Sequence, residues 1–92
     1  MAWRVKFKKS FIRAVSKLGK EDRTRIVEKV KKVINAVSLG EGLRKLDIKK
    51  LKGKWKGFFR LRVGEYRVIF KIDWDSKEIL FYTVSYRAQV YR

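Results

Sequence analysis

The stretch from Phe58 to Ile72 leaves this chain little freedom in how it folds. Two alternating segments, Phe59-Arg60-Leu61-Arg62-Val63 and Tyr66-Arg67-Val68-Ile69-Phe70, flank Gly64-Glu65. A two-residue connection with Gly first predicts a type II′ hairpin, because Gly takes the positive φ of that position at no steric cost. With Gly64 and Glu65 as the turn, Val63 faces Tyr66, Leu61 faces Val68 and Phe59 faces Phe70. Side chains alternate faces with period two, so these six share one apolar face. The other face carries Arg62 directly across from Arg67, with Arg60 diagonal to Arg67. Like charges set opposite one another cost a sheet roughly a few tenths of a kcal/mol or more. Three guanidinium groups on one face of a tight hairpin suit an anion. Their planar forks bind phosphate bidentately and keep their charge near neutral pH. The alternative is a solvated sheet face in a basic protein.

The 92 residues suit one domain, 1–92, and leave no room for two. A hydrophobic content of 46%, with 14% aromatic residues, is enough for a small core. There is no Cys, which excludes a disulfide framework, thiolate metal sites and a Cys nucleophile. There is no His either, so a Ser-His-Asp triad cannot form and the commonest metal ligand is missing. No cofactor or metal is expected. No apolar run approaches the roughly 20 residues of a membrane span, and the N-terminus lacks a signal-peptide core, so the expected compartment is the cytoplasm. The net charge of +17 is the electrostatic footprint of a nucleic-acid binder, without distinguishing RNA from DNA, an anionic membrane or an acidic protein.

Around the hairpin, Trp3-Arg4-Val5-Lys6-Phe7 alternates apolar and basic and predicts a short strand with Trp3, Val5 and Phe7 facing inward. Ser10 is the expected N-cap of a helix whose stripe is Phe11, Ala14, Val15 and Leu18, with Gly19 as its C′ glycine. A second helix follows, with Glu21 and Asp22 in its first turn and a stripe of Ile26, Val30, Val33 and Val37, widened by Val27 and Ile34. Arg25, Lys29, Lys31 and Lys32 lie off that stripe. So short a connection predicts an antiparallel helical hairpin. Between Ser38 and Trp55 the pattern is weak: a short helix around Leu43 to Leu46 fits, and Leu39, Leu43, Leu46, Ile48 and Leu51 are expected anchors. Lys49, Lys50, Lys52, Lys54 and Lys56 form a basic run before the hairpin, and Lys52, Lys54 and Lys56 are candidate RNA contacts. Asp73 to Lys77 reads as a turn, and Glu78 to Ser85 as a strand apolar on both faces, as a central covered strand is. The expected architecture is α+β, in the order β-α-α-β-β-β: an antiparallel sheet with a helical hairpin packed on one face and the arginines on the other.

The element order, the Leu-Lys-Gly of residues 51–53, the run from Phe59 to Phe70 and the closing Arg87-Ala88-Gln89-Val90-Tyr91 resemble the RelE/ParE toxin superfamily of toxin–antitoxin systems across essentially the whole chain. The terminal Arg with a Tyr four residues on favours the RelE side. The resemblance implies a ribosome-dependent endoribonuclease that cuts mRNA in the decoding site. By position, it implies a catalytic set of Arg60, Arg62, Arg67, Arg87 and Tyr91. It also implies a cognate antitoxin that wraps the toxin and covers this face.

Cleavage without metal can use the RNA 2′-OH as nucleophile on its own phosphate, leaving the enzyme to position the strand and stabilise charge. Arginine suits both tasks but does not exchange protons near neutral pH. Tyr91 is one candidate base, its pKa of about 10 lowered where guanidinium groups surround it; it can equally stack on a base. Some family members carry Lys where this chain has Arg60 and Arg62, which leaves the base open between Tyr91, Glu65 and Lys54. The competing readings are a ParE-like inhibitor of DNA gyrase without nuclease chemistry, a non-catalytic RNA-binding module, and an inactive toxin kept for binding its antitoxin. Lys56-Gly57-Phe58-Phe59 resembles the start of an RNP1 motif, but Phe59 replaces its Gly or Ala and the element order is not that of an RRM.

Overall fold

Phe58–Val63 (β3) and Tyr66–Asp73 (β4) pair as the expected hairpin at the centre of the computed structural model, in which residues 2–86 are described. The register is the expected one: Val63 opposes Tyr66, Arg62 opposes Arg67, Leu61 opposes Val68 and Phe59 opposes Phe70. Gly64 has φ +59°, and Glu65 is not among the residues of positive φ, the sign pattern of a type II′ turn. Leu61, Val68 and Phe70 on the apolar face are fully buried.

The remaining elements assemble on this hairpin. They are Arg4–Phe7 (β1), Lys9–Ser16 (α1), Lys20–Ser38 (α2), Ile48–Lys50 (β2), a 3-10 turn at Gly53–Trp55, and Glu78–Tyr86 (β5). The five strands run in the order β1-β5-β4-β3-β2. The strand predicted from Trp3 to Phe7 takes an edge beside β5 and lies parallel to it, whereas the other pairings are antiparallel. The strand predicted from Glu78 is interior, paired on both sides, which is why it is apolar on both faces.

Helix α1 lies against β5, and α2 approaches β3. Phe11 of α1 and Ile26, Val30, Val33 and Val37 of α2 are buried, as their stripes require, and join Phe70, Ile79 and Phe81 in one core. Phe81 gathers the rings of Phe7, Phe11 and Phe70, at centroid distances of 5.4, 5.8 and 5.6 Å.

Four local expectations are corrected. Leu39 is not an anchor: as the C-cap of α2 it is 70% exposed, outside the stripe that faces the sheet. Ser10 is not the N-cap; Lys8 is. The Lys8 amide donates to the Phe81 carbonyl (2.9 Å), which carries the β1–β5 ladder into the helix, and the Ser10 hydroxyl donates instead to the Tyr82 carbonyl. Gly19 is not a left-handed C′ residue. At φ −65° and ψ 164° it is the N-cap of α2, and its carbonyl accepts the Arg23 amide at 3.0 Å. Only Lys17 to Gly19 separate the helices, so the residue after the first helix must already start the second. Leu43 to Leu46 forms a hydrogen-bonded turn rather than a helix, and β2 follows it as a fifth strand.

The turn from Asp73 to Lys77 carries a titrating group. The Asp73 carboxylate accepts the amides of Ser76 and Asp75, each at 3.1 Å. The bonds from Ser76 are the larger cause that holds its pKa below the ordinary carboxylate value. A lowered folded-state pKa contributes stability that is present above the unfolded value and lost as pH falls through the folded one. Asp73→Asn keeps the acceptor oxygen but not the charge. Its melting temperature is expected to decline less than wild type's below about pH 4; identical acid limbs in thermal melts would refute this.

Candidate nucleic-acid interface

Residues opposed across antiparallel strands share a face. The face away from the helices therefore carries two polar rows. In one, Arg62 opposes Arg67, which opposes Ser85. Asp47 extends this row, its carbonyl accepting the Arg62 amide at 2.9 Å. In the other, Lys49 opposes Arg60, then come Ile69 and Thr83. The three predicted arginines of the hairpin are thus gathered by strand pairing alone.

Their surroundings differ. Arg60 is 6% exposed, and its Nη1 has no hydrogen-bond partner among the described residues; that atom is 3.8 Å from Asp47 Oδ1. Arg62 is half exposed, with Nε 3.8 Å from Asp47 Oδ2. No carboxylate among the described residues pairs with Arg67. One acid against three guanidinium groups leaves the cluster cationic. Ser85 Oγ, in the row of Arg62 and Arg67, is also buried and unpartnered among the described residues. Buried donors without acceptors are costly and uncommon. Both atoms are buried in this structure, so the members of the cluster that an incoming phosphate meets are Arg62, half exposed, and Arg67 beside it.

Sequence reasoning did not pick out Asp47, which spaces Arg60 and Arg62, or Ser85. The lone acid between Arg44-Lys45 and the lysine-rich run that starts at Lys49 was the available signal for Asp47; nothing in the sequence marked Ser85. Three cations of α2 were seen but not placed. Arg25, Lys29 and Lys32 line a cavity of about 380 Å³ together with Arg62, Asp47 and the Gly64 turn. Arg25 reaches over that turn, where a Cβ on Gly64 would lie 2.7 Å from its Nη2.

Other predicted residues are not in the cluster. Lys52, Lys54 and Lys56 are exposed and precede β3, whereas Arg62 stands near its end, about 13 Å along the strand from Phe58 at a rise of about 3.3 Å per residue. Arg87 and Tyr91 lie outside the described residues.

Asp47→Asn tests the tether. Removing the acid leaves a buried guanidinium without a counter-charge. Full burial would make that a loss of about 3–5 kcal/mol, but Asp47 is 54% exposed, so about 1–2 kcal/mol is expected in urea denaturation. Affinity for single-stranded RNA should rise, with the salt slope steeper by about 0.7 per freed cation. Unchanged stability together with an unchanged slope would show that Asp47 neutralises neither arginine.

Comparison with known proteins agrees with this architecture. The model of the ParE toxin of type II toxin–antitoxin systems (parDE) matches residues 2–91. The Toxin RelE3 of Methanocaldococcus jannaschii is 34% identical over 96% of this chain and 94% of its own. Two solved structures are similar throughout. One is an archaeal RelE–RelB complex from Pyrococcus horikoshii, with TM-score 0.73, 29% identity, and coverage of 98% of this chain and 100% of the other. The second is a RelB–RelE antitoxin–toxin complex from Methanococcus jannaschii, with TM-score 0.70, 32% identity and 94% coverage of each chain. A hairpin that crowds arginines on one sheet face, two helices on the other, and these end-to-end similarities make the chain a RelE-family toxin, a member of the ParE toxin family of type II toxin–antitoxin systems.

Proposed function

We propose that this toxin is a ribosome-dependent endoribonuclease that cleaves mRNA by attack of a 2′-OH on the adjacent phosphate. The immediate products are a 2′,3′-cyclic phosphate and a 5′-OH, the departing 5′-oxygen taking up a proton to balance the one lost from the 2′-OH; water then opens the cyclic ester to a 3′-phosphate. The observation that carries this reading is the gathering of Arg60, Arg62 and Arg67 on one sheet face, with a single carboxylate, Asp47, set against them among the described residues.

The bond that forms joins the 2′-oxygen to phosphorus, and the bond that breaks is to the 5′-oxygen of the next nucleotide. Negative charge grows on the non-bridging oxygens in between. Fixed guanidinium groups stabilise that charge without reorganising, and each such donor is worth about 10²–10³ in rate. Arginine does not carry the proton from the 2′-OH. Tyr91 and Glu65 are the proposed carriers; Glu65 stands in the turn between Arg62 and Arg67. Lys54, the remaining candidate, sits at the other end of β3.

A cognate antitoxin is the proposed protein partner. Its support is the pair of solved relatives, which are toxin–antitoxin complexes, and the +17 charge, which an acidic partner would offset. The ribosome is the proposed site of action.

One observation favours a second reading. The matching family model is that of the ParE toxin, which suits a gyrase inhibitor without nuclease chemistry. Expression of the toxin alone, followed by primer extension on ribosome-bound mRNA, separates the two. New 5′ ends on translated messages are expected. Growth arrest with intact transcripts and trapped gyrase–DNA complexes would establish the rival instead.

A further inference from the structure

The arginine face of the sheet carries a second cluster, made of aromatic rings. Phe58 alternates with Arg60 and Arg62 along β3, so it shares their face. Positive φ at Gly53 (+67°) and Gly57 (+95°) folds a 3-10 turn back on the head of β3, and that turn sets Trp55 against Phe58. The third ring comes from β5. Ile69 opposes Thr83 while Phe70 opposes Phe81, so Tyr82 is an extra residue without a partner on β4, a β-bulge. Bulges re-aim a side chain; this one brings the Tyr82 ring onto Phe58 and Trp55, and the Ser10 hydroxyl donates to the bulged carbonyl. The three rings meet edge to face, with centroids 5.2, 5.4 and 5.5 Å apart, and all are half-buried. Lys8 Nζ lies 5.5 Å from the Tyr82 centroid, and Lys71 Nζ lies 5.5 Å from that of Phe58.

We propose that Trp55, Phe58 and Tyr82 form a stacking platform for a nucleobase of the RNA strand, beside the phosphate met by Arg62 and Arg67. The proposal rests on the endoribonuclease reading above and adds the contact that fixes which nucleotide lies at the arginines. Phe58 is about 7 Å from Arg60 and about 13 Å from Arg62 along β3, at about 3.3 Å per residue. A single strand covers that span in a few nucleotides. Rings beside cations on a sheet face are the complement of single-stranded RNA, because bases stack on the rings and phosphates meet the cations. Lys8 and Lys71 are exposed, so the ring faces beneath their heads open toward solvent, where a planar base fits. Stacking a base is worth more than an exposed cation–π contact. A base therefore displaces an ammonium head from its ring and leaves that head to a phosphate.

The probes are an oligoadenosine of about eight nucleotides and an abasic ribose-phosphate oligomer of the same length. Binding to the full chain is followed by fluorescence anisotropy of the end-labelled oligomers and by amide NMR shifts. The adenosine oligomer is expected to bind about tenfold or more tightly than the abasic one. Its additional shifts should centre on Trp55, Phe58 and Tyr82. Tyr82→Leu should lose most of that difference and leave abasic binding and its salt slope unchanged. Lys8→Ala/Lys71→Ala keeps the rings, so the ratio should stay while both oligomers weaken and the salt slope falls by about 0.7 for each cation. On ribosome-bound mRNA, Tyr82→Leu should spread the cut over neighbouring nucleotides, which a mere loss of folded protein does not do. The wild-type ratio and shifts decide even where a variant does not fold. Equal binding of the two oligomers, shifts that leave the three rings silent, or a folded Tyr82→Leu that keeps the ratio would each overturn the proposal. So would a Leu- and Glu-rich peptide that shifts these amides while the oligomer does not, which would make the rings a protein-docking face. The two readings fail separately. If no mRNA is cut, wild type and Tyr82→Leu give no new 5′ ends while the adenosine oligomer still outbinds the abasic one. If the platform is wrong, Tyr82→Leu cuts where wild type does and the oligomers bind alike.

Discussion

Replacement of Arg62 and Arg67 together by Ala is expected to abolish mRNA cleavage and leave the protein folded. The two residues are directly opposed across the β3–β4 hairpin, so one phosphate can meet both. Each cation aimed at developing phosphoryl charge is worth about 10²–10³ in rate, and groups that act as a unit do not add, so a loss of about 10³ or more is expected. The effect on stability has two small parts of opposite sign. Removing the facing like charges relieves a few tenths of a kcal/mol, roughly. Losing the half-exposed contact of Arg62 with Asp47 at 3.8 Å costs about 0–1 kcal/mol. The sum lies within about 0.5 kcal/mol of zero. Primer extension reads the first quantity and urea denaturation the second. Cleavage that persists in the double variant would remove these residues from the chemistry. A cooperative loss of folding would make them structural. Arg62→Lys refines the result: it keeps the charge but loses the bidentate fork, so a partial defect is expected.

The largest effect on stability is expected from Phe81→Ala. Phe81 is fully buried on β5, an interior strand, and packs against Phe7, Phe11 and Phe70. Those rings come from β1, α1 and β4, so one side chain joins three elements. Truncating a buried Phe costs about 3–5 kcal/mol through lost transfer energy and the cavity left behind. Domains of this kind have about 5–15 kcal/mol to lose. The variant is therefore expected to melt many degrees lower or to be partly unfolded, with cleavage lost in proportion to the folded fraction. Phe81→Leu, which refills part of the space, should be clearly milder. Equal effects of the two would mean that ring packing at this position contributes little.

Much of the site was legible because its cause is local. A period of two and a Gly-first turn are enough to place Arg62 opposite Arg67, and the structure has that pairing. The α2 stripe was legible for the same kind of reason, since Ile26, Val30, Val33 and Val37 repeat at helical spacing and are all buried. Local signals misled at junctions. Ser10 and Gly19 are residue types favoured at helix ends, yet the first helix begins where the β1–β5 ladder leaves off, and a short connection gives Gly19 to the second helix. Strand β2 was illegible because Ile48-Lys49-Lys50 is too short to show a period, and it forms by pairing to the edge of β3.

By itself, the sequence determined the hairpin register, the split of its two faces into apolar and cationic, and the helical stripes. Each follows from backbone periodicity and turn sterics within a few residues. The tertiary structure alone decided that Asp47 meets both Arg60 and Arg62, that Arg25, Lys29 and Lys32 of α2 share a cavity with Arg62, and that β1 lies parallel to β5 at the far edge. Those contacts join residues far apart in the chain. They depend on which strand edges and helix faces are left to pair once the hairpin has formed, and no local pattern encodes that choice.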